Sequence, residues 1–366
     1  MQFYISTLLL LACYMANVIV PTVCTHYLPL KRIFPLNPRV DMDTLRARDK
    51  ARYSRMLHGS VDVINFTLQG DPNSIGFYTT TVKLGSPPKE LTVVVDTGSS
   101  AMWVNCKTCS NCHSNALGFK LNFFDTTASS TAVLVQCSDI RCPLRFPGAE
   151  AHCSTNQCSY SYGYQDGSKT SGVYVSDEMY FDTILKQSSP VTVNSSETIV
   201  FGCSTKQSGA VTETGVTLDG VIGFGPGVIS VFSQLSSKRI TPKVFSHCLK
   251  GDSNGGGILV FGAILESNIV YSPMVPSQIH YSLNLHSIYV NGKQLQINPN
   301  VFATSNEQGT IVDSGTTLAY IVQEAYNPLV HAITTAVSRF ATPFISQKET
   351  RAIQSQPALI IFLQLV

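Results

Sequence analysis

The element Val95-Asp96-Thr97-Gly98-Ser99-Ser100 returns as Val312-Asp313-Ser314-Gly315-Thr316-Thr317. No other feature of the sequence limits the fold so strongly. Each copy follows a β-branched run, Thr92 to Val95 and Thr310 to Val312. Such a run reads as a buried strand. An Asp at its end keeps a carboxylate inward, glycine lets the chain turn sharply, and the flanking hydroxyls are placed to hydrogen-bond the carboxylate. One Asp-x-Gly is common in turns, but two copies a domain's length apart point to two lobes that each deliver one carboxylate. Two carboxylates a few ångströms apart cannot both ionise cheaply, so their titrations split and leave one acid and one base over an acidic window. Such a pair can drive a water onto a carbonyl without a covalent intermediate. Asp96 and Asp313 are therefore the candidate catalytic residues.

From Gly76 onward the chain breaks into short β-rich runs: Phe77 to Leu84, Glu90 to Val95, Tyr160 to Tyr164, Thr198 to Phe201, Gly257 to Phe261 and Tyr281 to Val290. Asn291-Gly292 is a hairpin signal, and Gly255-Gly256-Gly257 reads as another hairpin turn. Helical spacing of Ala325, Leu329, Ile333 and Val337 predicts one helix over Gln323 to Phe340. The expected class is all-β. Only 13% of the residues are charged against 44% hydrophobic, which argues against disorder and a coiled coil. Lys and Arg total 25 and Asp and Glu 23, a balance that provides no electrostatic footprint for a phosphate backbone, and no nucleic-acid partner is expected. Gly223-Phe224-Gly225-Pro226-Gly227 has no correctly placed third glycine and contains Pro, so it is not a nucleotide fingerprint. His-Glu-x-x-His and Gly-x-Ser-x-Gly are both missing, and His113 reads as exposed. No cofactor is expected.

Met1 to Thr25 has no charged side chain and is almost unbroken apolar from Thr7 to Val20, the pattern of a secretory signal peptide, with an uncleaved anchor as the alternative. Membrane contact is expected only through this leader, because the tail run Ala358 to Val366 is too short to span a bilayer. Of 11 cysteines, Cys13 and Cys24 lie in the leader. The others are the disulfide candidates Cys106, Cys109, Cys112, Cys137, Cys142, Cys153, Cys158 and Cys203, together with Cys248; their number is odd, so one is left over. Cys106, Cys109 and Cys112 have metal-site spacing but lack a fourth ligand near Ala116, so no metal is expected. Cys153 and Cys158, on neighbouring arms of one turn, are the expected disulfide partners. Asn65 and Asn194 begin glycosylation sequons. Lys and Arg outnumber Asp between Lys31 and Arg55, which reads as a basic propeptide docking on an acidic cleft.

The duplicated Asp-Thr/Ser-Gly-Ser/Thr resembles the pepsin-like aspartic proteases. Trp103 after the first copy, the run Tyr164-Gln165-Asp166-Gly167-Ser168 and the element Asp219-Gly220-Val221-Ile222-Gly223 extend the likeness. The cysteine-rich insert and Gly85-Ser86-Pro87-Pro88 are similar to the plant nepenthesin- and nucellin-like branch. The resemblance implies a bilobal all-β fold with the cleft between the lobes and a β-hairpin flap above it. It divides the chain into a signal peptide (1–25), a basic propeptide (26–75), an N-terminal catalytic lobe (76–242) and a truncated C-terminal catalytic lobe (243–366). Ser99 and Thr316 are then expected to hydrogen-bond the outer carboxylate oxygens, Gly98 and Gly315 to donate backbone N–H, and Thr97 and Ser314 to support the dyad. Tyr164 is expected to close a flap toward Trp103, although Gln165 stands where the family usually has Gly.

No second Val-Ile-Gly element follows Asp313, and no Gly or Cys follows Gly315. The resemblance therefore implies an incomplete C-terminal lobe, an unpaired Cys248, and a form with low stability and little activity. From about Gln347 onward the likeness fades. The function expected is a secreted, monomeric aspartic endopeptidase made as a zymogen. It would act on peptides or proteins and be held silent by its own propeptide, outside the cell or in a vacuole or endomembrane lumen. The alternatives are a non-catalytic binding or inhibitor protein of the same fold or an inactive truncated isoform; a carbohydrate-binding β protein has only the β pattern behind it.

Overall fold

The computed structural model describes residues 63–70, 76–116, 119–146, 150–185, 191–212, 218–249, 256–262, 270–305, 309–316 and 319–338. The expected leader, the basic stretch up to residue 62 and the tail from residue 339 lie outside the described residues.

One 12-stranded sheet organises the first lobe. Its strands are β1 (Val63–Gly70), β2 (Tyr78–Leu84), β3 (Lys89–Asp96), β4 (Trp103–Ser110), β5 (Ala151–Ser154), β6 (Gln157–Gly163), β7 (Lys169–Leu185), β8 (Val191–Ser208), β9 (Gly220–Gly223), β10 (Phe245–Leu249) and β11 (Gly257–Phe261). In space they run β10-β11-β1-β2-β3-β9-β4-β8-β7-β6-β5, and the two-residue strand Val133–Leu134 joins β7. The sheet curls on itself, because β7 also pairs with β1 and β2. Period-two alternation explains β3: Leu91, Val93 and Val95 share one face and are fully buried, and Asp96, next in line and so on the opposite face, is buried there as well. The core behind them is aromatic, with Phe66, Phe224, Phe232 and Phe245 grouped around Phe261 and ring centroids 5.1 to 6.0 Å apart.

Strand β9 fixes the turn after Asp96. It runs parallel to β3 with Gly223 opposite Asp96, and antiparallel to β4. A Cβ on Gly223 would sit 2.5 Å from the carbonyl carbon of Ser100, so only glycine lets β9 come this close. Asp219, just before β9, is buried and accepts the backbone N–H groups of Thr92 and Asn122, both at 2.7 Å. Helix α1 (Val231–Ser237) follows, capped by the Ser230 hydroxyl, which accepts from the Ser233 N–H.

Among the described residues the second lobe has fewer and shorter strands. Strand β12 (Ser282–Leu283) pairs with β13 (Thr310–Ile311), and helix α2 (Gln323–Val337) buries Ala325 against Phe302. The Asn291-Gly292 hairpin joins Tyr289–Val290 to Lys293–Gln294 with both turn residues at positive φ, 48° and 73°. Two expectations about extent are corrected, and one strand lies upstream of the run from Gly76. Thr198 to Phe201 is only the middle of the 18-residue strand β8. Tyr281 to Val290 is strand only at its two ends, with the residues between hydrogen-bonded in no ladder. Strand β1 falls inside the stretch read as propeptide, yet it is flanked by β2 and β11 in the sheet.

The expected Cys153–Cys158 disulfide is also corrected. The bonds are Cys106–Cys203, Cys109–Cys112, Cys137–Cys153 and Cys142–Cys158. Cys153 and Cys158 do face each other across β5 and β6, joined by the tight turn at Thr155-Asn156. Directly opposed residues hold their Cβ atoms about 4.5 to 5.5 Å apart, wider than the roughly 3.8 Å a disulfide favours. Each reaches instead to the neighbouring loop, where Cys137 donates its N–H to Asn156 O at 3.0 Å and Cys158 donates its own to Val135 O at 2.9 Å. Cys248 is free and exposed on β10. Of the two sequons, Asn194 is exposed on β8, whereas Asn65 is half-buried in the middle of β1 with its side-chain carbonyl oxygen shut away from solvent.

Candidate active site

The two copies of the repeated element meet at the junction of β3 and β13. Asp96 is 6% exposed and Asp313 half-buried, and the two carboxyls stand close enough to act on one another. Each is held by its own turn in the same way. The Gly98 N–H donates to Asp96 Oδ1 at 2.8 Å and the Gly315 N–H to Asp313 Oδ1 at 2.7 Å. The Ser99 hydroxyl donates to Asp96 Oδ2, and the Thr316 hydroxyl to Asp313 Oδ2 at 2.8 Å. Each glycine also stands against the opposite carboxylate, where a Cβ on either would collide with it. Burial first, and then the charge of Asp313, push the Asp96 carboxyl up to about 7, against the pull of Ser99 and Gly98. The pair therefore retains a proton far above the ordinary carboxylate range.

Thr97 and Ser314 do a different job from the one their hydroxyls suggested. Neither touches a carboxylate. The Ser314 N–H donates to Thr97 Oγ1 at 2.8 Å, and Thr97 Oγ1 donates to Val312 O at 3.4 Å. Reciprocally, the Thr97 N–H donates to Ser314 Oγ at 3.3 Å, and Ser314 Oγ donates to Val95 O at 2.8 Å. Each hydroxyl crosses to the other loop's backbone, so the repeats are laced together around a local two-fold relation. The sequence signal was present in the hydroxyl at the position after each Asp, but its partner is another loop and cannot be read from one copy.

Above the dyad, β6 and β7 form a hairpin whose tip is the turn from Tyr164 to Ser168, closed by the Tyr164 N–H on Ser168 O at 2.8 Å. Trp103 Nε1–H donates to the Tyr164 hydroxyl at 2.7 Å. Burial and the nearby Asp96 carboxylate hold that hydroxyl far above its usual titration range, so it remains a neutral donor. The hairpin tip is braced from outside: Ser168 Oγ donates to Asp166 Oδ2 at 2.8 Å and accepts the Val211 N–H at 2.8 Å. The cysteines with metal-like spacing are taken up in disulfides, Cys106 with Cys203 and Cys109 with Cys112.

Comparison with known proteins agrees with this geometry. The family model described as "Xylanase inhibitor N-terminal" matches residues 78–263, and that described as "Xylanase inhibitor C-terminal" matches 280–353, somewhat beyond the point where the likeness was expected to fade. Aspartic proteinase 36 of Arabidopsis thaliana is 38% identical over 298 residues, 80% of this chain. The chain belongs to the pepsin-like plant aspartic proteases. Nepenthesin-1 of Nepenthes gracilis, another relative in this group, is 31% identical over 76% of the chain. The chain spans about 60% of the length of these two curated relatives. Among solved structures, basic 7S globulin from soybean superposes with a TM-score of 0.57, covering 78% of this chain and 73% of the globulin at 18% identity. At that identity the likeness speaks for the pepsin-like fold alone.

Proposed function

We propose that this chain is an aspartic endopeptidase that hydrolyses peptide bonds with a water held between Asp96 and Asp313. The observation that carries the reading is the symmetric set of donors, one backbone N–H and one hydroxyl on each of two carboxyls that act on one another. With one proton on the pair, the ionised carboxylate takes a proton from the water as it attacks the scissile carbonyl, and the protonated carboxyl donates to the carbonyl oxygen. Ser99, Thr316, Gly98 and Gly315 keep the carboxyls facing one another so that no reorganisation is required when charge moves. Tyr164 closes over the bound segment as a neutral donor. The substrate is a peptide or protein in extended form, lying under the flap.

The uncharged apolar leader and the four disulfides support passage through an oxidising secretory compartment, to the outside of the cell or to a vacuole. The Lys- and Arg-rich segment serves as a propeptide that favours the ionised dyad near neutral pH and is released when acid protonates it. Because β1 is built into the sheet, the removable part ends before Val63. A second reading, a non-catalytic binding protein, draws on the inhibitor name carried by the matching family models.

One experiment separates them. The purified full chain is incubated with a denatured protein across acidic pH, with and without a statine-type inhibitor and beside Asp96→Asn. Peptidase action predicts acid-dependent, inhibitor-sensitive cleavage that falls at least about 10²-fold in the variant. Cleavage that is absent, or equal in the variant, favours the binding protein.

A further inference from the structure

Behind the dyad a second set of bonds joins the lobes. The Asp96 carbonyl accepts the Phe224 N–H at 2.7 Å, and the Phe224 carbonyl accepts the Tyr281 hydroxyl at 2.6 Å. The Tyr281 carbonyl accepts the Val312 N–H at 3.0 Å. Val312 precedes Asp313, and its own carbonyl accepts the Thr97 hydroxyl at 3.4 Å, which returns the path to the residue next to Asp96. The bonds form a closed circuit through Asp96, Phe224, Tyr281, Val312 and Thr97. It crosses between the lobes twice, at Thr97 and at the Tyr281 hydroxyl.

Neither crossing is incidental. The Tyr281 ring lies 5.8 Å from that of Phe245, which itself stacks on Phe224 at 5.3 Å, so the ring is seated on the first lobe's aromatic core while its backbone belongs to the second lobe. Its backbone is fixed in turn by the adjoining ladder of β12 with β13, where Ser282 is opposite Ile311. One side chain thus reads the position of the strand end carrying Asp96 and transmits it to the strand end carrying Asp313. Burial pushes the Tyr281 phenol up to about 12, so it stays a donor at every pH where the dyad titrates.

We infer that Tyr281 is a positioning residue that sets the distance between the two catalytic carboxyls from behind. The inference rests on the aspartic-peptidase reading of Asp96 and Asp313. Without the hydroxyl the circuit opens at its far crossing, the Phe224 carbonyl loses its donor, and the lobes are held together at the dyad by the Thr97 and Ser314 bonds alone on this path. The carboxyls then separate on average, and the repulsion that raises Asp96 weakens. Of the titratable groups, Asp313 and Tyr164 face Asp96 closely enough to act on one another. Tyr164 is neutral, so a change in the Asp96 titration reports on its burial between the lobes and on the nearness of Asp313, both of which fall when the lobes part.

The test uses the full chain labelled with ¹³C at the aspartate carboxyls, titrated by NMR as wild type, Tyr281→Phe and Tyr281→Trp, with peptide turnover measured in parallel. Phe keeps the ring on Phe245 and removes only the donor; Trp supplies an indole N–H in its place. In Tyr281→Phe we expect the high-titrating aspartate to fall by about one pH unit. Turnover should drop roughly tenfold in kcat with KM changed less than about twofold, the size of one buried acceptor left unpaired. Tyr281→Trp should recover most of both. A folded Tyr281→Phe whose aspartate titration matches wild type overturns the inference, as does a Trp variant no closer to wild type than Phe when Phe does not fold. A wild-type chain without turnover would instead remove the peptidase reading, while the titration still decides the role of Tyr281.

Discussion

Thr97→Val is the perturbation that isolates the lacing between the two repeats. Valine fills nearly the same space, so the change removes the acceptor of the Ser314 N–H at 2.8 Å and the weaker donor to Val312 O at 3.4 Å. Thr97 is 3% exposed, so water cannot replace what is lost. One good bond contributes about 1 kcal/mol and a buried N–H left unpaired costs about 1 to 3 kcal/mol, while the long bond adds little. The expected loss is about 2 to 3 kcal/mol of unfolding free energy. Ser314→Ala removes the mirror set, a 2.8 Å bond to Val95 O and a 3.3 Å bond from the Thr97 N–H, in a less buried position, and should cost about 1 to 2 kcal/mol. Both hydroxyls span the same two loops, so the double variant should cost less than the sum by at least about 0.5 kcal/mol. Urea denaturation of the wild type, the single variants and the double variant at one pH gives the four free energies. Additivity within about 0.3 kcal/mol would refute the lacing, since it would mean that each hydroxyl acts alone.

Two further outcomes follow from the same structure. Asp96 titrates higher folded than unfolded, so between about pH 4 and 7 the folded state binds the extra proton and stability falls as pH rises through that window. Thermal melts of the wild type should therefore decline from acid toward pH 7, and Asp96→Asn should flatten the decline; a wild-type profile that rises over this range would contradict the assignment. Replacing Cys142 and Cys158 together by Ala opens a disulfide of sequence separation 16 between two fully buried sulfurs and should cost about 3 kcal/mol. Replacing Cys109 and Cys112, of separation 3, should cost clearly less in the same denaturation assay.

The strand that delivers Asp96 was legible because β3 writes its burial as an alternation, Leu91, Val93, Val95, and then ends in a carboxylate that an apolar core does not otherwise hold. The Asn291-Gly292 hairpin was legible for the same local reason: two adjacent residues that tolerate positive φ. What escaped was pairing over distance. Cys153 and Cys158 look like partners from their spacing, but their loop-side neighbours Cys137 and Cys142 are brought up by backbone bonds that no spacing encodes. Tyr281 to Val290 has the composition of a strand, yet a strand exists only where a neighbour offers a ladder, and the neighbour of β12 is two residues long. Nothing in the sequence sets Tyr281 apart from the run it begins, since its partner Phe224 belongs to the other lobe.

The strand order also sets a timetable for how the molecule is made. Strand β1 emerges first among the described strands, but its neighbour on one side, β11, is among the last of the first lobe, with Ile64 opposite Phe261. A growing chain carries that edge bare until β11 has been synthesised, and such non-local pairing folds slowly. The lacing of Thr97 to Ser314 spans 217 residues, about 10 to 40 s of synthesis. Until Ser314 has left the ribosome, the turn after Asp96 stands without the bonds that lace it to its counterpart.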